Sequence, residues 1–101
     1  MTEIRYHPKA DDEVLDAARF YEKRNEGLGW RFLSAVRDAE TRIARTPRTF
    51  RLLEGEFRRC IVRGFPHSLI FRPDDGGVLV VAVAHHSRRP GYWRRRVRRR
   101  A

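Results

Sequence analysis

At Pro47 the spacing of apolar residues changes, and that change restricts the chain more than any other feature. Ahead of it, Val14, Ala18 and Tyr21 recur at i, i+4 and i+7, and Phe32, Val36, Ala39 and Ile43 form a second set of the same kind. Such spacing places the side chains on one stripe of an amphipathic helix. Behind Pro47 the apolar residues alternate singly with polar ones or run continuously, as strands require. A chain with two helical stripes followed by strands must lay helices on a sheet.

The element limits follow from local chemistry. Ile4 and Tyr6 alternate with Arg5 and His7, which predicts a short half-buried strand. Pro8 suits a first helical turn, and Asp11, Asp12 and Glu13 sit where acids favour the helix dipole. Asn25, Gly27 and Gly29 break the pattern, so the first helix is expected from Lys9 to Arg24 and the second from Leu28 to Arg45, joined as a hairpin. Phe57–Val62 and His67–Arg72 read as strands around a Gly64-Phe65-Pro66 turn. Pro73-Asp74-Asp75-Gly76-Gly77 is a hairpin signal. Val78–His85 carries few polar residues, so it is expected in the centre of the sheet, covered on both faces. A tail begins at His86, where Trp93 and Val97 are spaced to dock one helical turn. The predicted fold class is α+β: a helical hairpin on a small twisted antiparallel sheet, in the order β-α-α-β-β-β, with a basic C-terminal tail. All 101 residues are expected to form one domain.

Charge divides the chain at the same place. Residues 1–45 hold nine Lys/Arg and nine Asp/Glu, whereas residues 46–101 hold fourteen Arg and four acids, so the whole net charge of +10 lies in the second half. That asymmetry points to an acidic or polyanionic partner, with nucleic acid a candidate. Of the 23 basic residues 21 are Arg, which a GC-rich coding sequence also produces.

Several chemistries are excluded. There is no phosphate-binding glycine loop, Rossmann fingerprint or His-Glu-x-x-His helix, and Ser34, Ser68 and Ser87 lack a nucleophile-elbow context. Cys60 is the only cysteine, which rules out an intramolecular disulfide and a cysteine-based zinc site. His85 and His86 are adjacent on a strand and point to opposite faces, so no metal is expected, nor any other cofactor. The acids of the first helix read as solvent-face charges. The longest apolar run, Val78–Ala84, has seven residues, far short of the roughly 20 that span a membrane. With no apolar signal segment at the start, the chain is expected in the cytoplasm.

Some segments carry a resemblance. Arg58–Arg72, with Phe65-Pro66 at its turn and Phe71-Arg72 at its end, resembles the central hairpin of RelE/ParE toxins. Val81–Trp93 resembles that family's last strand and its His…Arg-x-Pro…Trp ending. Pro8–Asp12 with Phe20-Tyr21 resembles its first helix, and Gly27–Phe32 the start of its second. The family comprises toxins of bacterial type II toxin–antitoxin modules, among them plasmid stabilisation systems. The resemblance implies a cognate antitoxin as partner, which the basic second half would steer. It also implies DNA gyrase or the ribosome as target.

Two mechanisms from different classes follow from the resemblance. RelE-like members cut mRNA in the ribosome without a metal, a reaction that needs cations around the phosphate and a proton-transfer group. Here Arg59 and Arg63, which share strand parity, Arg89, His86 and Tyr92 are the candidates. The lysines that family places on its central strands are absent: Lys9 and Lys23 both lie in the first helix. ParE-like members inhibit gyrase by binding and need only an exposed surface. Arg58, Arg88, Trp93, Arg94, Arg95 and Arg96 are the candidates for that surface, with Tyr92 beside them. Trp93 and Tyr92 have an alternative role as caps on the sheet core. The incomplete catalytic complement favours gyrase inhibition. A non-toxic or degenerate nucleic-acid-binding domain is the third alternative.

Overall fold

The computed structural model describes residues 2–97. Its elements are β1 (Glu3–Tyr6), α1 (Pro8–Arg24), α2 (Leu28–Arg45), a 3-10 turn at Pro47–Thr49, β2 (Arg51–Glu54), β3 (Phe57–Val62), β4 (His67–Asp74), β5 (Gly77–His85) and a second 3-10 turn at Arg94–Arg96. Two helices pack on one five-stranded sheet of order β1-β5-β4-β3-β2. This is the predicted α+β class, with two additions.

The first addition is that the sheet is mixed. β1 pairs with β5 in parallel, Glu3 opposite Gly77 through Tyr6 opposite Val80, while the other neighbours are antiparallel. A Cβ on Gly77 would collide with the Glu3 carbonyl, so glycine is what lets β1 approach there. The second addition is β2, whose Arg51, Leu52, Leu53 and Glu54 are all exposed. As an edge strand with no buried face it leaves no alternation in the sequence, which is why periodicity misses it.

Local signals set the helix ends. Pro8 opens α1 behind His7, whose Nδ1 accepts the Lys9 amide at 3.1 Å. Glu22, near the end of α1, reaches across the link to accept the amides of Gly27 and Gly29, both at 2.9 Å. It thereby satisfies free N–H groups at the start of α2. A Cβ on Gly29 would sit 2.7 Å from the Ala18 carbonyl, so close contact between the two helices requires glycine there.

The α2 stripe read from the sequence, Phe32, Val36, Ala39 and Ile43, is buried throughout. With Ala10 and Ala18 of α1 it covers Cys60, Val62, Leu69, Phe71, Val78, Val80 and Val83 on one sheet face. The register slips between Ile70 and Phe71, which oppose Ala82 and Val80 and leave Val81 as an extra residue. This bulge inverts the parity of β5. Beyond it, Val81, Ala82 and Ala84 join Ile70 and Trp93 in a second, smaller core on the face away from the helices. β5 is therefore covered on both sides, as its composition predicts. Among the described residues, no helix is long and apolar enough to cross a membrane.

Candidate functional site

The second face is closed by the tail. After His85 the chain turns back, with Arg88 N–H donating to the His85 carbonyl at 3.0 Å and Arg94 N–H to the Gly91 carbonyl at 3.0 Å. Trp93 is 3% exposed, and its ring centroid lies 4.7 Å from that of Phe57. It is therefore a core residue and not part of an exposed binding surface. The reason is the second sheet face, whose Ile70, Ala82 and Ala84 would otherwise meet water.

An ion cluster fixes the tail. The register of β1 ends at Tyr6 opposite Val80, so the outer edge of β5 is unpaired beyond that point. Glu13 of α1 accepts the Val83 amide there at 2.9 Å. Arg96 donates to both Glu13 oxygens, at 2.8 and 2.9 Å, and to the Val81 carbonyl at 3.1 Å. The Tyr92 hydroxyl donates to Glu13 at 2.7 Å. Burial pushes the Glu13 carboxyl up, but the hydrogen bonds from Arg96, Tyr92 and Val83 outweigh it and hold the group below its usual range. Burial, then the Glu13 hydrogen bond, raises the Tyr92 hydroxyl well above the usual tyrosine value.

Glu13 thus departs from the expectation that the first-helix acids are solvent-face charges. Its Arg96 partner lies 83 residues away, and no spacing rule reaches that far. The one hint in the sequence is that a tail with eight arginines and no acid needs a counter-charge from elsewhere.

The remaining candidates separate. Arg59 stands opposite Ile70 on β4, so it shares the face away from the helices. β3 ends at Val62, and Arg63 beyond it lies 4.0 Å from Asp38 of α2. Shared parity therefore does not become a shared face, because the strand stops one residue too soon. Arg58 is half-buried and donates to the Phe50 carbonyl at 2.7 Å, tying the chain ahead of β2 to β3. Arg94 makes a two-pronged ion pair with Glu54 at 2.6–3.0 Å, and that pair holds the Glu54 carboxyl below its usual range. Arg96 therefore serves the fold, whereas Arg94, although paired, stays on the open surface.

At the far end of β4 and β5 lie three histidines. His67 is 6% exposed, its ring centroid 5.0 Å from that of His85 and its Nδ1 3.4 Å from the Tyr21 hydroxyl. Burial, reinforced by His85 and His86, pushes its pKa down to about 4. His86 Nε2 meets the Ser68 hydroxyl at 3.0 Å. Among the described residues, no group of three His, Cys, Asp or Glu side chains is placed to hold a metal.

Four unpaired cations gather at one place. Lys9, Arg88, Arg89 and Arg95 are exposed, and no ion pair links them to an acid among the described residues. With Tyr92 they border a concavity of about 540 Å³ between the start of α1 and the tail. The Arg88 guanidinium lies 3.9 Å from the Tyr92 ring centroid, a cation–π contact that positions it. A larger groove of about 1260 Å³ at the hairpin tips also contains Glu54, Glu56, Asp74 and Asp75, so it lacks this single sign of charge. The rest of the basic tail, from Arg98 to Arg100, lies outside the described residues.

A helical hairpin on a five-stranded mixed sheet is consistent with the α+β fold of the RelE/ParE class. A family model described as "ParE toxin of type II toxin-antitoxin system, parDE" matches residues 4–90. The chain belongs to that family of toxins, and a toxin–antitoxin system implies an antitoxin partner. Among solved structures, one titled "Chromosomal ParDE TA system from P. aeruginosa" shares the fold with a TM-score of 0.61. It is 16% identical, and the match covers 84% of this chain and 96% of that one. No curated protein matches the sequence.

Proposed function

We propose that this toxin acts by binding DNA gyrase, not by cutting mRNA, and that its cognate antitoxin neutralises it. The observation that carries this reading is the state of Tyr92. Its hydroxyl is held by Glu13 at 2.7 Å and its ring is engaged by Arg88. A tyrosine so held offers neither a mobile proton nor a free face for a base. Of the other RelE-like candidates Arg89 borders the same concavity, but Arg63 lies toward α2, and His86 is bonded to Ser68. Arginine cannot take over the proton transfer, because it stays charged.

Two assays on the purified full chain test the proposal together. Gyrase supercoiling is expected to be inhibited, and primer-extension mapping in a translating extract is expected to show intact mRNA. New cleavage sites that require active ribosomes, with supercoiling unaffected, would replace this reading with the endonuclease one. Truncation behind Tyr92 is a poor test, since it also removes the core residue Trp93 and the anchor Arg96.

A further inference from the structure

We propose that the concavity between the start of α1 and the C-terminal tail binds the phosphodiester backbone of a nucleic-acid double helix. The site is independent of whether gyrase is the toxin's target.

The first support is selective neutralisation. Arg94 and Arg96 of the tail are matched by Glu54 and Glu13, whereas Arg88, Arg89 and Arg95 have no acid partner among the described residues. Lys9, some 80 positions away in the chain, joins them at the same concavity. Asp11 and Asp12 do not border it, and the charge of nearby Glu13 is already met by Arg96. The start of α1 adds the positive end of its dipole. Four unpaired cations held together repel one another, an arrangement that an anionic ligand relieves.

The second support is the character of the lining, which separates three kinds of polyanion. An acidic peptide would make only exposed ion pairs, which contribute little net binding, and no apolar anchor is available to add to them. A single nucleic-acid strand is held mainly by bases stacked on aromatic faces. Of the two aromatic rings here, Tyr92 is engaged by Arg88 and, through its hydroxyl, by Glu13, and His7 is held by the Lys9 amide as the cap of α1. A duplex needs neither feature. Its backbone is held by Lys and Arg through release of condensed counterions, without reading a base.

The test is fluorescence anisotropy of the full-length protein with a labelled 16-base-pair DNA duplex at increasing salt. About four phosphate contacts should make the affinity fall roughly a hundredfold between about 50 and 200 mM salt. The variant K9Q/R88Q/R89Q/R95Q should lose that dependence. A control removing the same charge from the helical hairpin, R24Q/R31Q/R37Q/R45Q, should keep it. Equal loss in both variants would reduce the binding to diffuse charge and overturn the proposal. So would tighter binding of a single strand of the same length, or preference for a hexaglutamate peptide. Should the fourfold variant melt early, R89Q alone decides: a salt slope lower by about one supports the site, and an unchanged slope overturns it.

Discussion

On one side of the sheet, helices of 17 and 18 residues lay Phe32, Val36, Ala39 and Ile43 over Val62, Leu69, Phe71 and Val80. On the other, a short tail lays one tryptophan over Ile70, Ala82 and Ala84, and an ion cluster holds it there. The helical side spreads burial over many side chains, so each contributes part of a redundant seal. The tail side has too little apolar area for that. It combines a single large residue with Glu13, which also caps the open edge of β5. A sheet can therefore be closed by periodic packing on one face and by a few long-range polar anchors on the other. The second closure is the more sensitive to single charges.

The largest expected effect bears directly on this contrast. Phe32→Ala, at a fully buried site, should cost about 4 kcal/mol in urea unfolding, and Trp93→Ala about 3 kcal/mol. A larger loss for Trp93→Ala would reverse the ranking of the two seals.

Acid should act next, through His67 at the sheet end. Unfolded, this histidine titrates near its ordinary value of about 6.5; folded, it accepts a proton only at about 4. Between those values the unfolded chain binds more protons. Its contribution is therefore complete above pH ~6.5 and is lost as pH falls toward ~4, by no more than about 3 kcal/mol. Melting curves across that range should show the loss, and His67→Phe should flatten it. An unchanged slope in the variant would assign the acid sensitivity to other groups. Glu13, whose carboxyl is depressed, is stabilising above its unfolded value and adds to the loss at lower pH.

Glu13→Gln should cost about 2 kcal/mol, because the Arg96 guanidinium, only 11% exposed, loses its counter-charge. Hydrogen exchange should quicken at the Val83 amide and in the tail while α2 stays protected. Uniform acceleration would mean that the tail and the helical side open as one unit. The smallest effect should come from Glu54→Gln. Its pair with Arg94 is exposed, and such pairs contribute little, so the melting temperature should not move. A clear drop would make Glu54 a second anchor of the tail.

The sequence by itself determined the helical side of the molecule. The stripes of α1 and α2, the break at Asn25–Gly29, the stop at Pro47 and the continuous apolar run of β5 are local patterns, and each was legible because helix and strand periods are set by neighbouring residues. The family resemblance was legible as well, in the segments around Phe65-Pro66 and His85–Trp93. Tertiary structure decided the rest. The parallel pairing of β1 and the edge strand β2 left no periodic trace, since a four-residue strand carries no record of its neighbour. The bulge at Val81 changed which residues face the tail. Trp93 and Arg96 became parts of the fold, and Arg63 turned toward α2. Glu13 moved from the expected solvent face to the centre of an ion cluster. All of these depend on contacts between residues far apart in the chain, and sequence spacing carries no information about such distances.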